Sequence, residues 1–324
     1  MTKRLVAVIG LALLIVLVSV GVVAIRNASP PPVHHIACPG GVAIASNESI
    51  QHAIDGSKSG TKFCLARGTY EISSNIHPKD GDKLIGSGMD RTFLKGTGAA
   101  IVIDAEAASD VVVAEMDISG GSGTRACRPK CGSGFSGGSN NMIDSVRFHD
   151  NVNHGIGGSG PNLVVMNSVF DHNGSSDFEG CCGGGIKGGT GFTIKNSRLF
   201  SNIGNGIWCD AGCTGGMKAY NNTIFDNARD GIRYEHSSGG AIIRGNTVRN
   251  NNMENALGGH GGITNVAAQN ARIIDNKLGG NKHAGIAVVS NRRGVSANVV
   301  VANNSLNGDL LKGCNRGVVC KNNH

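Results

Sequence analysis

Two sequence markers recur together along the second half of this 324-residue chain. The first is a polar residue, two variable residues and then a hydrophobic residue, which stands at Phe148, Phe170, Leu199, Ile224, Val248, Leu278 and Leu306. The second is a glycine followed by a hydrophobic residue, at Gly155-Ile156, Gly185-Ile186, Gly206-Ile207, Gly231-Ile232, Gly262-Ile263, Gly285-Ile286 and Gly317-Val318. The first marker recurs at steps of 22, 29, 25, 24, 30 and 28 residues, so the chain is built from one repeated unit.

The repeated unit favours strands over helices. Apolar residues alternate over short stretches separated by Gly and Asn, and no long stretch has a 3.6-residue period. A strand-built period in the twenties is typical of a parallel β-solenoid, in which each coil stacks on the last and the inward residues form one core. Leucine-rich repeats have a similar period, but this chain lacks their Leu-rich template. The sequence therefore predicts an all-β parallel β-helix, with repeats clearest over residues 140–310.

Asparagine is concentrated in the repeats, with 30 of the 33 Asn residues at positions 140–324. Asn tolerates left-handed backbone angles, and its amide can hydrogen-bond to an Asn one coil away. We therefore expect Asn at the turns between strands. The longer stretches at 174–184 and 252–261 are interpreted as insertions at coil corners.

Earlier segments extend the predicted β-helix toward the N-terminus. Lys83-Leu-Ile-Gly and residues 111–118 fit two further coils, so the first coil begins near residue 80. Residues 46–56 have the pattern of a short amphipathic helix with a polar N-cap and a terminal Gly. Because a solenoid needs its open end covered, we expect this helix to cap the N-terminal end.

Several segments resemble the start of right-handed parallel β-helix proteins of the pectin-lyase-like superfamily. They are Ile50-Gln-His-Ala-Ile-Asp, Gly60-Thr-Lys-Phe-Cys-Leu-Ala-Arg-Gly-Thr-Tyr70, Lys83-Leu-Ile-Gly-Ser-Gly and Thr92-Phe-Leu-Lys-Gly. The resemblance covers roughly residues 45–310 and implies a right-handed parallel β-helix. It implies no single activity, since that superfamily includes polysaccharide lyases, glycoside hydrolases, epimerases, esterases and non-catalytic binders.

The first residues predict export. Residues 5–25 are 21 residues without a charge after Met-Thr-Lys-Arg, which is long enough to cross a bilayer as a helix. We interpret residues 1–26 as a retained transmembrane anchor or, alternatively, as a cleaved signal segment with its best cleavage site at Val22-Val23-Ala24. Residues 27–45 are interpreted as a linker and residues 46–324 as one β-helix domain. The protein is therefore expected at the cell surface, or secreted if the segment is cleaved.

Ten cysteines agree with an oxidising compartment. The spacing favours short-range disulfides within the pairs Cys127 and Cys131, Cys209 and Cys213, Cys314 and Cys320, with Cys38 and Cys64 tying the N-terminal region. A second expectation places Cys181 or Cys182 near Cys209 or Cys213, since these residues occupy neighbouring coils. Zinc is disfavoured because no His lies at ligand spacing beside the pairs.

The charge balance disfavours one class of partner. The formal charge of +7 includes Lys3, Arg4 and Arg26 beside the hydrophobic segment, which leaves +4 on residues 27–324. This excess is compatible with an acidic polymer but is far from the clustered basic surface of a nucleic-acid binder. We expect no nucleic-acid partner, membrane contact only through the N-terminal segment, and a monomer.

One predicted face concentrates reactive side chains. If the Ile of each Gly-Ile pair points inward, strand alternation turns the residues Lys187, Trp208, Arg233 and Thr264 outward in one column, and Asp210 and Glu235 outward in the next. This face gathers the single Trp of the chain with two carboxylates and two cations. Tyr234 is expected to point inward and His236 to follow the strand. Both are kept as candidate substrate-binding residues.

These residue types predict carbohydrate chemistry. Parallel coils lie ~4.8 Å apart, so Asp210 and Glu235 are expected within ~5 Å, near the separation in retaining glycosidases. Mutual repulsion would raise one carboxyl pKa and prepare a proton donor beside an ionised partner. Trp208 would stack on a sugar ring, while Lys187 and Arg233 would neutralise a uronate or assist removal of its C5 proton in a lyase. The structural alternative is a solvated ladder in which Asp210 and Arg233 merely pair.

Other motifs are weaker. Gly259-His260-Gly261 is similar to the Gly-His-Gly of polygalacturonases, but the Asn-Thr-Asp, Asp-Asp and Arg-Ile-Lys of that family are absent, so His260 is interpreted as a loop residue. Trp208-Cys-Asp210 only half matches the Trp-Ile-Asp-His of pectate lyases, and no Arg-x-Pro-x-x-Arg follows. The Asp-Pro-His of alginate epimerases is also absent.

A cofactor is not predicted. Asp171, Asp177 and Glu179 lie at a coil corner and its insertion, where Ca²⁺ could find oxygen ligands, but they do not form a dense acidic cluster. The histidines follow no recognisable Ser-His-Asp pattern.

Two functions of different classes remain. The first is a carbohydrate-active enzyme, a polysaccharide lyase or a glycoside hydrolase, acting in a solvent-facing groove along the strands. The second is a non-catalytic surface module that binds glycan or protein on the same face. Close carboxylates in a cleft would favour the enzyme, and charges neutralised by Arg233 and Lys187 on a flat ladder would favour the binder. A rigid stalk is a third interpretation, which would leave Trp208 unexplained.

Overall fold

The computed structural model describes residues 38–123, 131–175, 183–253 and 260–324, which contain 28 β-strands and one α-helix. The strands are β1 (Val42–Ile44), β2 (Lys62–Leu65), β3 (Gly68–Ile72), β4 (Lys83–Ile85), β5 (Thr92–Gly96), β6 (Ile101–Asp104), β7 (Val112–Ser119), β8 (Ser133–Gly137), β9 (Met142–His149), β10 (His154–Ser159), β11 (Leu163–Met166), β12 (Val169–Asp171), β13 (Gly184–Gly188), β14 (Phe192–Lys195), β15 (Arg198–Phe200), β16 (Asn205–Cys209), β17 (Met217–Tyr220), β18 (Thr223–Phe225), β19 (Ile232–Glu235), β20 (Ala241–Arg244), β21 (Thr247–Arg249), β22 (Ile263–Val266), β23 (Ala271–Ile274), β24 (Lys277–Gly279), β25 (Ile286–Val289), β26 (Val299–Ala302), β27 (Leu311–Lys312) and β28 (Val318–Lys321). The helix is α1 (Ile50–Asp55).

The strands form two parallel sheets that wind around one core. Nine strands, β6, β8, β10, β13, β16, β19, β22, β25 and β27, form the smaller sheet, and the other 19 form the larger one. In the smaller sheet, Ile207 lies opposite Ile186 on one side and Ile232 on the other. These three side chains are at most 1% exposed, so equivalent isoleucines of successive coils stack inside the core. The predicted parallel β-helix is confirmed.

The larger sheet has two faces joined by a bend. β7 and β9 run through the bend, since β7 pairs with both β4 and β5, and β9 pairs with both β11 and β12. Later coils place two short strands there instead, such as β14 and β15. The bend requires a positive φ, which is 55° at Glu115, 56° at Ser145, 52° at Asn196 and 54° at Asn221.

Asparagines form buried ladders beside these bends. Asn202 Nδ2 donates to Asn227 Oδ1 at 2.8 Å, and Asn227 Nδ2 donates to Asn251 Oδ1 at 2.9 Å. A parallel ladder contains Asn222, whose Nδ2 donates to Asn246 Oδ1 at 2.9 Å. Asn was expected both to adopt left-handed backbone angles and to hydrogen-bond between coils. Two neighbouring residues divide these roles: exposed Asn221 has the left-handed angle, and buried Asn222 forms the ladder.

Helix α1 forms where the sequence predicts a helix. The Ser49 hydroxyl accepts a hydrogen bond from the His52 N–H, which satisfies one of the free donors at the helix start. Ile50 and Ile54 are 3% and 0% exposed and join the core of the β-helix. The helix begins at Ile50 and ends at Asp55, followed by Gly56.

Three disulfides of the short-range set are present: Cys38–Cys64, Cys209–Cys213 and Cys314–Cys320. Cys131 is also disulfide-bonded, and its predicted partner Cys127 lies outside the described residues. Cys209 and Cys213 bond to each other, so neither forms a bridge with Cys181 or Cys182. Cys181 and Cys182 lie outside the described residues, and their expected position near Cys209 or Cys213 stays a prediction.

The predicted membrane anchor, residues 1–26, lies outside the described residues. Within the described ranges, no helix has the length and apolar character needed to span a bilayer.

Candidate functional site

The predicted column is present on the smaller sheet, but three of its four members, Trp208, Arg233 and Thr264, are buried and not solvent-facing. Trp208 of β16 lies opposite Lys187 of β13, and Arg233 of β19 lies opposite Trp208. Thr264 of β22 continues the column. Glycine precedes each inward Ile because the next coil crowds that position; a Cβ at Gly206 would lie 2.9 Å from the Ile224 side chain. The fold thus brings side chains from successive coils together on one face.

Lys187 joins the aromatic and acidic members of this face. Its Nζ lies 2.9 Å from Asp210 Oδ2 and 4.1 Å from the centre of the Trp208 ring. The Trp208 side chain is therefore covered, and the residue is only 8% exposed. The expectation of an exposed Trp is wrong, because the Lys187 ammonium occupies one face of the ring through a cation–π contact.

Arg233 binds two carboxylates. Its Nε and Nη2 donate to the two oxygens of Glu235 at 2.7 and 3.0 Å, and its Nη1 donates to Asp230 Oδ2 at 2.8 Å. Trp208 Nε1 also donates to Glu235 Oε2, at 3.2 Å. Burial works against the charge of Arg233, but Glu235 and Asp230 outweigh it and raise the guanidinium pKa. We call Lys187, Trp208, Asp210, Arg233 and Glu235 the charged row.

The carboxylates of the charged row are neutralised in pairs. Asp210 is ion-paired with Lys187, and Glu235 with Arg233. Burial alone would raise the pKa of Glu235, but the hydrogen bonds and charge of Arg233 hold it below its ordinary value. Repulsion between Asp210 and Glu235 was expected to raise the pKa of one of the two carboxyl groups. Glu235 is instead held ionised by Arg233 on its own strand. The ladder alternative is also modified, because Arg233 pairs with Glu235 and Asp230 rather than with Asp210.

Tyr234 does not face the charged row. Strand alternation turns it inward, where it is 0% exposed, as the pattern predicted. Its hydroxyl donates to the Gln269 carbonyl at 3.3 Å and accepts from the Gly240 N–H at 2.9 Å. Its candidate role in substrate binding is therefore wrong: the ring belongs to the core, and its hydroxyl connects two coil turns.

His236 lies at the end of the row. Its Nδ1 is 3.5 Å from Glu235 Oε1, and its Nε2 is 3.1 Å from the Asn291 amide nitrogen. The imidazole thus approaches the same Glu235 oxygen that Arg233 Nη2 binds at 3.0 Å. His236 therefore lies beside the Glu235 carboxylate, and its candidate role in substrate binding stays a prediction.

Sequence reasoning missed Asp230 and dismissed His260. The Asp230 side chain is fully buried, and its Oδ1 accepts hydrogen bonds from the N–H groups of His260 and Gly261 at 2.6 and 2.8 Å. Burial lowers the pKa of His260, and the charge of Arg233 lowers it further against the opposing effect of Asp230. The sequence position of Asp230 could have indicated its place in the site, because Asp230 directly precedes a Gly-Ile pair at the start of a strand of this sheet.

His154 occupies the equivalent position three coils before Asp230. Gly184 lies opposite His154 and Asn205, and the Asp230 N–H donates to Asn205 Oδ1 at 3.1 Å. The His154 ring is buried, and within the described ranges neither ring nitrogen has a geometrically sound hydrogen bond. Burial, reinforced by the charge of Lys187, lowers the pKa of His154 to about 3.

Of the three acidic residues considered for Ca²⁺, only Asp171 lies in the described part of the chain. Asp171 Oδ1 and Oδ2 accept from Arg147 at 2.9 and 2.8 Å, and Oδ2 also lies 2.9 Å from His172 Nδ1. Asp177 and Glu179 lie outside the described residues. No group of three or more His, Cys, Asp or Glu suited to a metal ion occurs among the described residues.

Comparisons with known proteins identify the fold. The family model described as "Right handed beta helix region" matches residues 214–306. The A-module of the mannuronan C-5 epimerase AlgE6 of Azotobacter vinelandii is similar at 16% identity and a TM-score of 0.57, over 85% of this chain and 88% of that one.

Two further solved structures have the same fold. An endo-xylogalacturonan hydrolase of Aspergillus tubingensis is similar at 14% identity and a TM-score of 0.56, over 87% of this chain and 91% of that one. PfbA, a surface adhesin of Streptococcus pneumoniae, is similar at 15% identity and a TM-score of 0.57, over 82% and 84%. No curated protein matches the chain. The chain thus has the right-handed parallel β-helix fold that these structures share.

Proposed function

We propose that this chain is an exported protein that acts on a polysaccharide at the charged row, as a lyase or a glycoside hydrolase. One observation carries the proposal: three successive coils place two cations, two carboxylates and the single Trp in one connected network on the outer face. Charged groups are costly to bury and are concentrated at functional sites. Two proteins with this fold are named for polysaccharides, a mannuronan epimerase and a xylogalacturonan hydrolase.

The network suggests a division of roles. Glu235 is ionised, so it suits a base or a nucleophile and not a proton donor. Arg233 could bind a uronate carboxylate of the substrate in place of Glu235, because its planar guanidinium binds carboxylates through two parallel hydrogen bonds. The lowered pKa of His260 supplies a neutral imidazole beside Arg233, which is the protonation state that proton abstraction requires.

A second candidate is a non-catalytic surface module that binds glycan or protein on the same face. The observation in its favour is that Asp210 and Glu235 each already have a cationic partner. Such pairs resemble a structural charge ladder more than a free acid and base. The similarity to a surface adhesin agrees with this candidate.

Export and the closure of the N-terminal end complete the proposal. Three disulfides in the described ranges favour an oxidising compartment, where residues 1–26 would act as anchor or signal. The burial of Ile50 and Ile54 in the core supports a capping role for α1.

The test is turnover of a panel of acidic and neutral polysaccharides by the purified full-length protein. Ultraviolet absorbance of unsaturated products identifies a lyase, and new reducing ends without that absorbance identify a hydrolase. Glu235→Gln and Asp210→Asn should each abolish turnover, because an amide replaces neither a base nor a nucleophile. Asp275→Asn is the matched control, since Asp275 is an exposed carboxylate paired with Arg244 on the other sheet. Binding without turnover would favour the non-catalytic module.

A further inference from the structure

A second surface of the β-helix carries two aromatic rings on its outer side, where Phe200 is half-buried and Phe225 is 8% exposed. Phe200 of β15 and Phe225 of β18 lie opposite one another in the larger sheet, and their rings stack with centres 4.9 Å apart and an angle of 3°. Their neighbours Leu199 and Ile224 are 0% exposed and point into the core, so alternation turns both Phe rings outward. This face belongs to a different sheet from the charged row.

Two arginines enclose the Phe225 ring. Arg249, opposite Phe225 on β21, places its guanidinium carbon 5.0 Å from the ring centre. The guanidinium carbon of Arg198 lies 5.9 Å from the centre of the Phe225 ring and 5.4 Å from the centre of the Phe200 ring. We call Phe200, Phe225, Arg198 and Arg249 the arginine platform.

The cations of the platform lack acidic partners in the described part of the chain. Neither Arg198 nor Arg249 forms an ion pair there, and the buried Nε of each makes no hydrogen bond. Asp171, which lies opposite Phe200 one coil earlier, is bound through both oxygens by Arg147. The platform therefore combines a stacked aromatic pair with two arginines that form no ion pair among the described residues, although the exposed Asp226 directly follows Phe225.

We propose that the arginine platform is a second binding site, for a polysaccharide that carries carboxylates. The apolar face of a sugar ring would pack on the Phe edges, and the uronate carboxylate would accept hydrogen bonds from Arg198 and Arg249. Arginine matches a carboxylate through its planar fork of donors, and two such cations in a partly desolvated site are complementary to an anion. The choice of a polysaccharide rests on the proposed function, whereas the need for an anion rests on the platform alone.

The test compares two polymers that differ only in charge, polygalacturonate and fully methyl-esterified polygalacturonate. Binding to the full-length protein is measured by calorimetry at low and moderate salt. Wild type should prefer polygalacturonate, and the preference should weaken with salt. The R198Q/R249Q variant should lose at least about tenfold in affinity for polygalacturonate and little for the ester. R244Q, which removes an exposed arginine already paired with Asp275, should bind as wild type does.

The charged row and the platform can be separated. R198Q/R249Q should lose the same factor of affinity for polygalacturonate whether or not Trp208→Ala is also present. At saturating substrate, R198Q/R249Q should turn over substrate at the charged row at the wild-type rate. The single variants R198Q and R249Q, checked by thermal unfolding, serve if the double variant does not fold. Equal affinities of wild type and R198Q/R249Q, equal binding of both polymers, or no binding of polygalacturonate would overturn the proposal. Single-stranded DNA is the competing polyanion. If it binds wild type as tightly as polygalacturonate does, and loses as much affinity in R198Q/R249Q, the choice of a polysaccharide is overturned.

Discussion

Arg233 and Glu235, two residues apart on one strand, are joined by two hydrogen bonds of 2.7 and 3.0 Å that engage both carboxylate oxygens. Residues at i and i+2 share the same face of a strand, so the pairing requires no contact between coils. Its extension to Asp230, by a third bond of 2.8 Å, fixes the guanidinium between two acidic groups. The resting state of the charged row is thus closed, and any substrate must compete with Glu235 or Asp210 for a cation.

Removal of Arg233 should destabilise the fold strongly. Arg233→Ala leaves the fully buried Asp230 carboxylate without its cation, which we expect to lower the free energy of unfolding by about 3–5 kcal/mol. Urea unfolding measures the change. Arg244→Ala is the matched control, because its ion pair with Asp275 is exposed and should contribute no more than about 1 kcal/mol. Equal losses in the two variants would mean that the buried network adds no stability beyond a surface pair.

His154 should make stability depend on pH. Its pKa falls from 6.5 when unfolded to about 3 when folded, so the unfolded chain binds a proton that the folded chain does not between these values. Stability should therefore fall as pH decreases through this window, by ~3 kcal/mol at pH 4. His154→Gln should remove this component from unfolding curves recorded at several pH values, and the exposed His52→Gln should not. An unchanged slope in His154→Gln would contradict the burial of a neutral imidazole.

The asparagine ladder should be cooperative and sensitive to one deletion. Asn227→Ala removes the amide that donates to Asn251 Oδ1 and the Leu199 carbonyl, and the oxygen that accepts from Asn202. Leaving these buried groups unpaired should cost about 2–4 kcal/mol in unfolding free energy. Asn221→Gly, at an exposed site with a φ of 54°, should change it by less than about 1 kcal/mol, because Gly adopts that angle freely. The ladder role is wrong if both variants unfold alike.

Trp208 should separate stacking from hydrogen bonding once a substrate is known. Trp208→Ala removes the ring on which the Lys187 ammonium lies and should raise KM at least about tenfold with a smaller effect on kcat, because Lys187 loses the contact that positions it in the charged row. Trp208→Phe keeps an aromatic face for Lys187 but removes the donor to Glu235, so it should change KM by less than about threefold. Steady-state kinetics on the same polymer distinguish the two. A larger effect on kcat in Trp208→Phe would instead assign the indole N–H to orienting Glu235.

The sequence alone determined the repeat, the parallel coils and the outward column. These properties depend on local chain chemistry: Gly at a crowded position, Asn at a left-handed bend and alternation along a strand all act within a few residues. The short-range disulfides are predictable for the same reason, since Cys209 and Cys213 are only four residues apart. Tyr234 was placed inward by alternation, and only its proposed contact with substrate is wrong.

Tertiary structure decided which charges pair and which groups water can reach. Alternation placed Lys187, Trp208 and Glu235 on one face, but side-chain length and burial determined that Lys187 covers the indole and that Arg233 holds Glu235. Asp230 and His154 carry no motif, and their importance arises from burial at the start of strands in the smaller sheet. Periodicity specifies the direction of a side chain, whereas the energy of a charge depends on the neighbours and solvent exposure that coil stacking creates.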